Sequence, residues 1–132
     1  MLTGGCYCGA IRYEAAGPVS HQTLCHCTMC RGTTGAPCVA WFTVASDHFK
    51  LLAGSPSKFR SSDHATRSFC PTCGTQISFI DDASAQEIDV TTCSLDQPDQ
   101  APPHAHIFTR SQVPWLKLGD TLARYGGSRA EK

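Results

Sequence analysis

Phe69-Cys70-Pro71-Thr72-Cys73-Gly74 is the stretch from which the fold can be read. Two cysteines two residues apart, closed by a glycine, make a zinc knuckle by spacing. The intervening pair lets both sulfurs converge on one ion, and Gly74 permits the turn that aims backbone N–H groups at sulfur. A knuckle supplies two ligands of a tetrahedron, so a second pair is required. Cys6-Tyr7-Cys8-Gly9 offers it. In an extended chain alternate side chains share a face, so C-x-C also converges on one ion. Cys6, Cys8, Cys70 and Cys73 together predict a closed four-thiolate site that clamps the N-terminal region to the middle of the chain, the pattern of structural zinc. Buried free thiols are the alternative.

A third cluster, Cys25-His26-Cys27-Thr28-Met29-Cys30, crowds three thiols into six residues. One ion can be held by Cys25, Cys27 and Cys30, and no further knuckle exists to supply a fourth ligand. Three protein ligands with an open position are the pattern of a catalytic zinc. Two other readings stand beside it. The site is closed by a distant residue such as His104, His106, Cys38 or Cys93, or all seven clustered cysteines reshuffle around one ion. His26, between two candidate ligands, is expected to point away from the metal, as a donor behind the ligands or as a surface residue. Arg31 follows the cluster directly and either offsets its negative charge or is simply solvated.

Working outward, the chain holds nine cysteines, an odd number, and opens Met1-Leu2-Thr3-Gly4-Gly5-Cys6 without the charged and apolar regions of a signal peptide. Bridges between such close neighbours would staple almost no chain. Reduced thiols are therefore expected, and with them a cytoplasmic location. Lys+Arg and Asp+Glu balance at 11 each, which argues against a nucleic-acid footprint and weakly favours self-association, a homodimer being one form. No apolar run approaches the ~18 residues of a spanning helix, so no membrane is expected. At 132 residues, one zinc-binding domain is expected over 1–132, with its core at about 4–125.

Short strands broken by Gly, Pro, Ser and Asp dominate. They are expected at Ile11–Glu14, Val19–Leu24, Val39–Val44, Phe49–Leu52, Gln76–Ile80, Glu87–Thr92 and His104–Phe108. Lys58–Ser61 and Ala65–Phe69 flank Ser62-Asp63-His64 and are expected to pair as a hairpin. Cys27–Arg31 and Trp115–Leu122 are the candidates for short helical pieces, because no segment sustains a 3.6-residue apolar period. Asp96–Pro103 reads as a loop and Gly126–Lys132 as a frayed tail. Lone Cys38 and Cys93, in apolar surroundings, read as buried thiols, and Trp41 and Trp115 as core. The fold class is mainly β, antiparallel, with metal sites at strand ends.

Three ordered motifs carry a resemblance: Gly5-Cys6-Tyr7-Cys8-Gly9-Ala10-Ile11-Arg12-Tyr13, Cys25-His26-Cys27-Thr28-Met29-Cys30-Arg31 and Phe69-Cys70-Pro71-Thr72-Cys73-Gly74. With His106-Ile107-Phe108, Pro114-Trp115 and Tyr125, they make the chain similar to the glutathione-dependent formaldehyde-activating enzymes and the centromere protein V domain. The resemblance implies a β-tent of small antiparallel sheets organised by two zinc ions. It implies a structural site at Cys6, Cys8, Cys70 and Cys73, and a catalytic one at Cys25, Cys27 and Cys30. It further implies condensation of formaldehyde with glutathione, the activity of a carbon–sulfur lyase. Glutathione, or another small thiol, and an aldehyde are thus the expected partners, although no clear set of residues for the two carboxylates of glutathione is recognisable.

An open three-thiolate site suits that chemistry, because coordination favours the thiolate form of an entering thiol. Three thiolates also make zinc a poor Lewis acid, and Arg31, Arg12 or Arg67 is expected to offset the charge. His26, His64 and His106 are each possible acids or bases. The competing readings are a non-catalytic zinc scaffold for a protein partner and a thiol-redox sensor that loses zinc on oxidation. A cleft reaching Cys25, Cys27 and Cys30 would favour the enzyme.

Overall fold

Side chains along a β-strand alternate between two faces, and in the segment Val39–Ala45 that alternation sorts the molecule. Phe42 and Val44 face a buried apolar cluster, while Trp41 and Thr43 face a cleft on the other side. The computed structural model describes residues 1–128 and is mainly β, with one short α-helix. Its strands are β1 (Leu2–Gly5), β2 (Arg12–Ala15), β3 (Ser20–Cys25), β4 (Val39–Ala45), β5 (Phe49–Ala53), β6 (Ser57–Ser62), β7 (Ala65–Phe69), β8 (Gln76–Asp81), β9 (Glu87–Thr91), β10 (Ala105–Ile107) and β11 (Ala123–Arg124). The helix, α1, spans Thr28–Thr34. Among the described residues no helix is long and apolar enough to cross a membrane.

Two sheets form: β1-β2-β5, and an eight-stranded sheet ordered β11-β10-β3-β4-β9-β8-β7-β6. Between them lies the main core, where Ile11 and, from β2, Tyr13 and Ala15 meet Phe42, Val44, Ile88, Val90 and Ile77. Burying such side chains contributes about 1.5–3 kcal/mol each before entropy is set against it. Tyr13 is fully buried, and its hydroxyl shares a 2.6 Å hydrogen bond with Ser94. Gly4 lies beneath that pair, and a Cβ there would stand 2.5 Å from both the Ser94 carbonyl and the Tyr13 hydroxyl. The sheets close where Gly4 bridges Leu95.

Most expected strands form within a residue or two of their expected limits, and β6 pairs with β7 as the hairpin. Two differences concern topology. The larger sheet is mixed, because β10 runs parallel to both β3 and β11. β1 and β11 are additions, one Gly-rich and one of two residues, too short or too flexible to show a period.

Other expectations fail locally. Trp115–Leu122 is irregular, and Trp115 is 70% exposed instead of core. Pro114 precedes the segment and Gly119 interrupts it, and the Asp120 side chain accepts from the Leu122 N–H, so local bonding displaces a helix. Cys93 is exposed, not buried, because Thr92–Ser94 curls into a 3-10 turn that brings Ser94 to Tyr13. Cys38 is only half-buried. Of the expected frayed tail, Gly126 and Gly127 are tied down, their carbonyls accepting from Arg110 Nε and the Phe108 N–H at 2.8 Å. Residues 129–132 lie outside the described residues.

Candidate metal centre

Two groups of thiols gather in space, each with its sulfurs within 4.8 Å of one another: Cys6, Cys8, Cys70 and Cys73, and Cys25, Cys27 and Cys30. All nine cysteines are free thiols. In the first group Cys6 follows β1 and Cys70 follows β7, so the clamp joins the two sheets. Cys6 and Cys70 are buried in the core cluster, while Cys8 and Cys73 face outward. Backbone N–H groups point at sulfur as a knuckle requires: Ile11 to Cys6 at 3.2 Å and Cys73 to Cys70 at 3.4 Å. Gly74 has φ +82°, the left-handed conformation that favours glycine. Thr75, through its hydroxyl and then its backbone, draws the Cys73 thiol down to about 5.

The second group is built at the corner where β3 turns into α1. Cys25 ends the strand and Cys27 caps the helix, its sulfur accepting the Cys30 N–H at 3.2 Å. The helix stops at Gly35, whose φ is +73° and whose N–H returns to the Arg31 carbonyl. Cys25 and Cys30 are buried and Cys27 is half-buried. Hydrogen bonds from Cys25 and then Cys30, with the Cys30 backbone and Arg67 contributing, push the Cys27 thiol far down. Cys27 also pushes the Cys25 thiol far up.

Both groups fit a thiophilic ion. A tetrahedral site with Zn–S of ~2.3 Å has sulfur–sulfur edges of about 3.8 Å. The sulfurs of Cys6 and Cys8 are 3.5 Å apart, those of Cys8 and Cys70 3.8 Å, and those of Cys25 and Cys30 3.5 Å. The first group offers a full set of four. Among the described residues the second contains no fourth His, Cys, Asp or Glu donor. His104, His106, Cys38 and Cys93 do not join it, and the seven cysteines stand as two separate groups.

Beside the group lies a cleft of about 550 Å³, lined by Cys25, Cys27, Cys30, Trp41, Arg67 and Phe79 and continuing past Thr43 and Asp89. The alternation of the eight-stranded sheet accounts for that wall. Arg67, Phe79, Asp89 and Thr43 are successive cross-strand partners on β7, β8, β9 and β4. Thr43 Oγ1 donates to Asp89 at 2.6 Å, and burial raises the Asp89 pKa. His64 reaches the cleft but pairs with Asp81 at 3.3 Å.

His26 points away from the sulfurs, as expected, but it is fully buried and not a surface residue. Its Nε2 meets Nδ1 of His106 at 2.9 Å, and His106 Nε2 meets the Asp120 carboxylate at 2.9 Å. The carboxylate fixes a proton on His106 Nε2, so His106 Nδ1 accepts from His26 Nε2–H. Burial, then His106 and nearby arginines, lowers the His26 pKa and keeps it neutral. The His26 N–H also donates to the Ile107 carbonyl, which anchors the peptide between Cys25 and Cys27 to β10. Of the three arginines expected near this group, Arg67 contacts Cys30, whereas Arg12 is bound to Asp96 at 2.9 Å.

A family model described as glutathione-dependent formaldehyde-activating enzyme matches residues 1–111. The chain belongs to that family. A Halomonas elongata protein that bears the provisional name of glutathione-dependent formaldehyde-activating enzyme is 23% identical over 89% of this chain and 81% of its own length. An uncharacterized lyase of Schizosaccharomyces pombe is 33% identical over 58% of this chain and 55% of its own. A crystal structure of a Rhodobacter sphaeroides protein shares the fold, with a TM-score of 0.59 at 24% identity, over 74% of this chain and 93% of that one. The three motifs of the sequence lie within the matched region, but Asp120, the last member of the buried histidine chain, lies beyond it.

Proposed function

We propose that the protein is a zinc-dependent carbon–sulfur lyase that joins a small thiol, glutathione being the family's example, to formaldehyde. The carrying observation is the group of Cys25, Cys27 and Cys30, which lacks a fourth donor and faces the cleft. On this reading Cys6, Cys8, Cys70 and Cys73 hold a structural zinc, and Cys25, Cys27 and Cys30 hold a second zinc. When bound there, that ion supplies an open position that favours the thiolate form of an entering thiol. The chain's own residues shape what enters. Trp41 and Phe79 meet edge to face at 6.4 Å and give the cleft an aromatic wall beside the sulfurs. The His26–His106–Asp120 chain holds the corner that carries the three cysteines. Nine free thiols suit a reducing compartment, and cytoplasm is the proposed location.

The test follows formation of the hydroxymethyl thioether from formaldehyde and a panel of thiols, with the uncatalysed reaction as baseline. A rate above baseline for at least one thiol, abolished in Cys30→Ser, is expected. Baseline rates for the metal-loaded protein with every thiol would refute the lyase reading.

A further inference from the structure

Arg67 is built into the cleft in a way that offsetting charge does not explain. Strand alternation on β7 turns it toward the cleft, where it is only 3% exposed. Its guanidinium lies 5.0 Å from the ring centre of Phe79 and 5.8 Å from that of Trp41, so its orientation is fixed by stacking. Nη2 approaches Cys30 Sγ at 3.7 Å. Nε and Nη1 are buried and have no partner. Asp81, Glu87 and Asp89 line the same cleft, yet among the described residues no carboxylate pairs with Arg67. Leaving charged N–H groups buried and unpaired is costly, so their partner is to be sought in what the cleft binds.

Resting on the lyase reading above, we infer that Arg67 is a catalytic residue that receives the carbonyl oxygen of the aldehyde as negative charge develops on it. Position selects this role over recognition of a distant carboxylate. A guanidinium in contact with the Cys30 sulfur meets atoms one or two bonds from a sulfur seated beside the triad, which is where the reacting oxygen lies. In the step, the electron pair of the substrate thiolate forms the carbon–sulfur bond. The carbonyl π pair moves onto oxygen, where N–H groups of Arg67 bind it. The proton lost by the thiol to water is returned by water to that oxygen, and the guanidinium stays protonated throughout. Nothing is oxidised or reduced. Donors placed where charge appears are worth about 10²–10³ in kcat.

The test uses full-length protein loaded with cobalt in place of zinc, as wild type, Arg67→Gln and Arg67→Lys, with metal content measured for each. Two probes are titrated by the sulfur-to-cobalt absorption. Thioacetate carries sulfur and oxygen on one carbon, as the adduct does; ethanethiol lacks the oxygen. Arg67→Gln is expected to keep its metal and its ethanethiol affinity but to bind thioacetate about tenfold or more weakly, with Arg67→Lys between. Equal losses for both probes, or loss of metal, would make Arg67 a charge-offsetting or structural residue and overturn the inference. Unchanged thioacetate affinity, or failure of wild type to bind either probe, would overturn it too. If the expected pattern appears without turnover of formaldehyde, the lyase reading fails while the oxygen contact at Arg67 stands.

Discussion

At the residue scale, the pair Arg12–Asp96 shows how a candidate changes meaning once its surroundings are known. Arg12 lies in the first cysteine motif and its charge suggests service to a thiolate site. Instead its Nη1 donates to Asp96 at 2.9 Å, and Thr3 Oγ1 donates to the same carboxylate at 2.8 Å. Arg12, and after it Thr3, holds the Asp96 carboxyl down to about 2. The folded pKa lies below the unfolded value of about 4, so the stabilisation is present above about pH 4 and is lost as pH falls through about 2. Asp96→Asn is therefore expected to flatten the dependence of the urea midpoint on pH within that window. An unchanged slope would show that the pair does not couple folding to pH. The two cysteine groups, by contrast, were legible as residues, because their close spacing is a property of a few neighbours in sequence. Arg67 was legible only as a charge: its aromatic cage comes from β4 and β8, and no local pattern reports that.

At the scale of elements, alternation made most strands legible, from β4 with its aromatic and β-branched residues to the hairpin of β6 and β7. It could not reveal β11, which has two residues, or the parallel pairing of β10 with β3, which depends on distant parts of the chain. The helix was legible at its start, where Cys27 caps it, but it runs on to Thr34. The buried chain His26–His106–Asp120 belongs to this scale, since it ties the β3–α1 corner to β10 and to the segment before β11. Sequence offered His26 as a donor behind the cysteines, His106 as a distant ligand and each as an acid or base, but never as partners of one another. His106→Leu removes the acceptor for His26 Nε2–H and leaves it buried, which is expected to cost about 1–3 kcal/mol in urea unfolding. The same variant is expected to lower metal affinity at Cys25, Cys27 and Cys30 by about 10–100-fold, measured by competition with a chelator. Unaltered affinity would mean that the histidines support the fold but not the site.

For the whole molecule, the two thiol groups stand in different relations to the core. Cys6 and Cys70 are members of the main apolar cluster between the sheets, so an ion among those four thiols is coupled to folding. Cys25 and Cys30 pack in a separate, smaller cluster with Trp41, beside the cleft. An ion there can be lost with less consequence for the sheets. The central claim is that these are two independent sites, one structural and one open to substrate. Elemental analysis of wild type and Cys30→Ser, with circular dichroism on the same samples, tests it most directly. The account predicts about two zinc ions per chain in wild type and about one in the variant, with an unchanged β spectrum. About one zinc in both proteins, or loss of all zinc together with the fold in Cys30→Ser, would contradict it.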